Sequence, residues 1–175
     1  DVIMVRGEQK MRSGDNLSFL IRYSTGGYDD LVSRGNGLVH LNDIWRTSFT
    51  YSTPKRGAWR KSISFTMFQE GYEDWATGLE TNITWYPYDE LNLELMLNPR
   101  WSRDWLIWLH DDLLATFSRR HVSGEISANW FPYDGHEVRL RTQWLTINAD
   151  AKQGYRIGPG CRLIPSNDMI NDFAM

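Results

Sequence analysis

The chain has 175 residues, one domain's worth and enough to bury a core or close a small barrel. Nineteen Lys and Arg against 22 Asp and Glu give a net charge of -3, no basic field for nucleic acid, and the single cysteine, Cys161, excludes an internal disulfide or a cysteine-rich zinc site. The longest unbroken apolar run, Trp105 to Leu109, is far short of the roughly 20 residues of a membrane helix, which excludes such helices but not membrane-spanning strands.

Nine tryptophans in an otherwise polar chain need a physical cause. An indole is apolar in body and polar at one N–H, so a bilayer interface favours it more than a small soluble core does. The chain opens at Asp1 with no initiator methionine and no charged or apolar leader, which reads as a processed or excised start.

Taken in chain order, the first apolar stretch, Val2 to Val5, is too short to span a bilayer, and the Gly-rich segment from Thr25 to Gly37 reads as a long loop. Period-two alternation then dominates. Trp45, Thr47, Phe49 and Tyr51 oppose Arg46, Ser48, Thr50 and Ser52, and Ile63, Phe65 and Met67 oppose Ser62, Ser64 and Thr66. From Trp75 to Trp85 the odd positions are apolar or Thr, and the even ones include Glu80 and Asn82. Leu91, Leu93, Leu95 and Leu97 alternate with Asn92, Glu94, Met96 and Asn98, after which about 20 residues from Pro99 to Arg119 read as a second long loop. Two further strands follow: Val122 to Trp130, with Glu125 on the polar side, and Glu137 to Trp144, with Arg139 and Arg141 beside Glu137. With the doubtful ends this makes about eight strands.

An internal repeat links four of the strands: Trp85-Tyr86-Pro87-Tyr88-Asp89 recurs as Trp130-Phe131-Pro132-Tyr133-Asp134. Each copy reads as a tight hairpin turn with aromatics at its base. If both close alike about Tyr88 and Tyr133, Ser127 faces Arg139, Glu125 faces Arg141, Glu80 faces Met96 and Asn82 faces Glu94. Short turns at one end and long loops at the other are the asymmetry of an outer-membrane barrel. Trp75 and Trp85 lie on one face about 33 Å apart along a strand, about 25 Å along the membrane normal at a tilt near 40°, the height of an apolar band between aromatic girdles.

The expectation is therefore an all-β, antiparallel, up-and-down transmembrane β-barrel. Residues 1–175 would form one barrel segment, an incomplete piece of a longer chain that stops after a loop at Asp172 to Met175. The bilayer-interface aromatics are Trp45, Trp59, Trp75, Trp85, Trp130 and Trp144. The lumen-facing polar residues are Arg46, Arg60, Glu80, Asn82, Glu94, Glu125, Glu137, Arg139 and Arg141, which either plug the interior through ion pairs or line a conduit. No cofactor is expected. The histidines at 40, 110, 121 and 136 lack metal-ligand spacing, Gly35-Asn36-Gly37 and Gly158-Pro159-Gly160 read as turns, and no catalytic motif is present. The competing interpretation is a soluble β-sheet carbohydrate-binding module with exposed Trp platforms.

Asp104 to Trp108, Leu114, Phe117, Arg119-Arg120, Asn129-Trp130-Phe131, His136 to Arg141, Gln143, Ala149 and Tyr155-Arg156 together carry a resemblance. The stretch is similar to the C-terminal barrel of a bacterial outer-membrane family in which a carbohydrate-binding family-9-like sandwich precedes a barrel of uncharacterised function. The resemblance is strongest from about Asp104 to Phe173 and weaker upstream. It implies a Gram-negative outer-membrane location, a lipid-bilayer partner and a link to carbohydrate through the N-terminal domain this chain lacks; it brings no catalytic residues.

Overall fold

The computed structural model describes residues 1–70, 72 and 74–168; the expected stop at Asp172 to Met175 lies outside them. Eleven strands run in order: β1 (Val2–Lys10), β2 (Asn16–Ser24), β3 (Gly27–Asp29), β4 (Val39–Leu41), β5 (Ile44–Ser52), β6 (Trp59–Gln69), β7 (Trp75–Tyr88), β8 (Leu91–His110), β9 (Leu113–Trp130), β10 (Val138–Ile157) and β11 (Leu163–Ser166). Nine form one antiparallel sheet in the order β1-β2-β5-β6-β7-β8-β9-β10-β11, and β3 pairs with β4 as a separate ribbon. The meander is all-β, with nine sheet strands where sequence alternation predicts about eight.

The sheet is not closed. Among the described residues β1 pairs only with β2, and β11 covers only Gly154 to Ile157 of β10, leaving the outer edge of residues 138–153 without a strand partner.

The predicted loop from Pro99 to Arg119 is instead the continuation of β8 and β9, joined at Asp111-Asp112 with Asp111 at φ 43. Alternation fails there because both faces are covered, so apolar residues become continuous rather than periodic. Leu113, Leu114 and Ala115 are wholly buried, and Leu114 packs with Val39 of the ribbon and Leu163 of β11. On the other side Ala115 and Phe117 meet Trp105, Ile107 and Leu109. The ribbon docks closely: a Cβ on Gly37, at φ +133, would come within 3.2 Å of Ile157. The packed core thus sits in this extension and not under the main sheet.

Two register shifts mark where the extension begins, one in β8 between Ser102 and Trp105, the other in β10 between Ala151 and Gln153, both near Phe117 to Arg119 of β9. One extra residue flips every later side chain to the opposite face.

Both repeated hairpins close two residues away from the expected register. Trp130 pairs with Val138 and Glu125 with Gln143; Trp85 pairs with Leu93, Asn82 with Met96 and Thr84 with Glu94. The 45-residue offset is kept, since Trp85 and Leu93 map onto Trp130 and Val138. In the first hairpin Tyr86-Pro87 forms a bulge before a tight turn at Asp89-Glu90, where proline's missing N–H is tolerated. In the second, Phe131 to Glu137 is a loop rather than a tight turn, with the Phe131 N–H donating to the Glu90 carbonyl at 2.8 Å and Gly135 at φ +78. A two-residue slip preserves parity, so the face assignments survive it.

Candidate functional site

Cross-strand partners share a face, so the ladder assigns each side chain. On the polar face one row runs Arg60, Thr84, Glu94, Ser127 and Arg141 across β6 to β10, and the next runs Ser62, Asn82, Met96, Glu125 and Gln143. Arg46, Glu80 and Arg139 share this face by the same pairing. Glu137 precedes β10 in the loop and holds Arg139 at 2.6 Å. Glu125 accepts from Arg141 at 3.0 Å and from Gln143 at 2.5 Å, so the expected ion pair forms diagonally rather than between directly opposed residues. Asn82 does not meet Glu94, which lies between Thr84 and Ser127.

Sequence patterning missed the upper part of this face. Arg100 and His121 are directly opposed, as are Ser102 and Arg119, where β8 and β9 continue through the predicted loop. The Arg119 guanidinium takes both carboxylate oxygens of Glu70 at 2.8 and 2.7 Å and lies 4.2 Å from the Trp105 ring centroid. His121 lies on the polar face that alternation gives it, opposite Val122, whereas Arg100, Ser102 and Arg119 fall in the predicted loop; of these three only Arg119 belongs to the residues that carry the resemblance. Among the described residues Ser102 Oγ, Arg119 Nε and His121 Nε2 are buried without a hydrogen-bond partner.

The opposite face is apolar and exposed. Phe19, Phe49, Phe65 and Leu79 form one ladder row, with Phe49 52% and Phe65 45% accessible. Two glycines on this face lie under neighbouring rings: a Cβ on Gly7 would fall 2.2 Å from Phe19, and one on Gly124 2.0 Å from Trp144.

The Trp and Tyr residues of this face form two lines, on either side of the level row of Phe19, Phe49 and Phe65. Toward the loop end stand Tyr23 and Trp45, 4.7 Å apart between centroids, then Trp75, Trp101 and Trp144; toward the turn end stand Tyr51, the stacked pair Trp59 and Trp85 at 5.6 Å, and Trp130. Each line is level over part of its course and displaced toward the turn end overall: Tyr23, Trp45 and Trp75 share one ladder row, Trp101 lies two residues off it and Trp144 six, while Trp59 and Trp85 share a row between those of Tyr51 and Trp130. Trp144 on β10 occupies the row of Tyr51, six residues along β5 from Trp45. Six residues are about 20 Å and the five intervening strand spacings about 24 Å, a slope of about 40°. From Tyr51 to Trp130 the displacement is again six residues in the same direction, over four strand spacings, a slope of about 45°.

Polar clips close both ends. At the turn end Arg56 reaches Asp15 at 2.7 Å, and the Ser13 hydroxyl, followed by Arg56, holds that carboxyl below its usual range. At the loop end the Gly26 N–H and then the Tyr23 hydroxyl do the same for Asp43. Among the described residues no cluster of His, Cys, Asp and Glu has the arrangement of a metal site.

Compared with protein-family models, curated proteins and solved structures, the chain matches none of them.

Proposed function

We propose that this chain is part of the membrane-spanning wall of a bacterial outer-membrane β-barrel, anchoring a larger cell-surface protein and presenting its polar face to the lumen. The observation that carries this reading is the pair of oblique aromatic lines on the apolar face. A soluble sheet has no reason to displace its aromatics by six residues in the same sense along two lines. A barrel whose strands tilt by 35–45° requires that displacement if each line is to keep one depth in a bilayer. The separation of Trp75 from Trp85, about 25 Å after tilt, agrees with the apolar thickness of such a membrane. The continuous apolar extension of β8 and β9 fits the same scheme, because hairpins that leave the bilayer must cover both faces against water.

The test is fractionation of Gram-negative cells making the full-length protein. It is expected in the outer-membrane fraction, resistant to alkaline carbonate and released by detergent. Recovery as a soluble monomer in plain buffer would overturn the reading and favour a sugar-binding sheet with exposed tryptophans.

A further inference from the structure

We propose that the polar face is an anion-selecting surface, with an arginine track that climbs the lumen wall; the inference rests on the barrel-wall reading and adds the class of solute. Two adjacent ladder rows carry Arg6, Arg100 and His121, then Arg22, Arg46 and Arg119, and neither holds a carboxylate. The next row toward the turns reverses this, with Glu8 and Glu80 and no base. Charge is therefore sorted over these three rows, whereas the rows nearer the turns mix Arg60 and Arg141 with Glu94 and Glu125.

Three local features indicate that the track meets anions. Arg22 and Arg46 are directly opposed on neighbouring strands, an arrangement that costs stability unless negative charge joins them. Arg46 and Arg100 line one small cavity of about 70 Å³ with Gly78, Glu80 and Asn98. Ser102 and Arg119, 3% and 8% accessible, each keep a buried polar atom with no partner among the described residues beside this group, as does His121. Glu70 on Arg119 and Glu80 in the cavity offset only part of the charge.

With strands tilted near 40°, each step along a row rises about 3 Å toward the loop end, so the track from Arg22 to Arg119 climbs about 15 Å. Rows of fixed positive charge along a narrow aqueous path raise the local concentration of anions and exclude cations.

The experiment is the reversal potential of the full-length protein in planar lipid bilayers under a KCl gradient. Wild type is expected to prefer chloride, and the Arg46→Gln/Arg100→Gln double variant to lose about threefold or more of that preference. Arg46→Lys/Arg100→Lys should retain it, and Arg12→Gln, which removes one positive charge in the β1–β2 turn, should leave it unchanged. A wild type that prefers potassium, or a double variant that inserts and conducts with wild-type selectivity, overturns the proposal. Insertion without conductance also overturns it and leaves the anchor intact; failure to insert from detergent overturns the barrel-wall reading itself.

Discussion

Gly124 owes its place to one neighbour. The Trp144 ring lies where a Cβ would be, so Gly124→Ala must displace the indole or the strand. Such overpacking costs about 1–3 kcal/mol. Urea titration in detergent should find that loss, and a double-mutant cycle with Trp144→Ala should recover most of it, since the smaller side chain vacates the clash. Leu79 and Asn82 lie three residues apart on opposite faces of β7. If the apolar face meets lipid, Leu79→Arg costs about 2–4 kcal/mol near the bilayer midplane and Asn82→Arg much less. Equal tolerance in a folding assay in lipid vesicles would invert or abolish the orientation.

At the scale of elements, the extension depends on polar contacts that the lower sheet does not need. Glu70 lies in the β6–β7 connection and ties it to β9 through Arg119, whose side chain is 9% exposed. Glu70→Gln leaves a nearly buried guanidinium short of charge, and breaking such a pair from one side costs about 3–5 kcal/mol when fully buried, less with Glu70 at 21% exposure. Proteolysis should then cut the β6–β7 connection sooner than in wild type. At the end of β11, Arg156 bridges Asp168 at 2.7 Å and Asp112. The Arg156 hydrogen bond, followed by that from Ser166, holds the Asp168 carboxyl below its usual range. A depressed carboxylate stabilises the fold above its unfolded value, and the contribution disappears as pH falls through the folded value. The protection of amides 163–168, exchange rate relative to the intrinsic rate at each pH, should therefore be constant from neutral pH down to about pH 4 and fall below it. Asp168→Asn should remove that step and give fast exchange throughout.

For the whole molecule, the slope of the aromatic lines makes a prediction that the ladder alone would deny. Along the ladder Trp45 and Trp144 differ by six residues, yet a tilted wall brings them to one depth. Quenching of single-tryptophan variants by brominated lipids should place the two within a few ångströms of each other. An untilted sheet would separate them by about 20 Å, and absence of quenching at both would remove the bilayer altogether.

Much of the face pattern was legible in the sequence because a strand's side-chain period is two whatever it pairs with. Leu79 against Glu80 and Ile126 against Glu125 needed no partner strand to be sorted. The repeated aromatic-Pro-Tyr-Asp motif likewise announced two hairpins closing alike. Register was not legible, since the turn chemistry cannot tell a tight turn from the bulge at Tyr86-Pro87 or the loop from Phe131 to Glu137. Nor was the arginine track, which arises only when β8 and β9 run past Pro99 and bring Arg100 and Arg119 into rows with residues far away in the chain. Alternation reports burial on one side alone; where the ribbon and β11 cover the second side the period vanishes, and only tertiary packing turns Trp105 to Leu109 from an apparent loop into a half-buried strand against the buried Leu113 to Ala115.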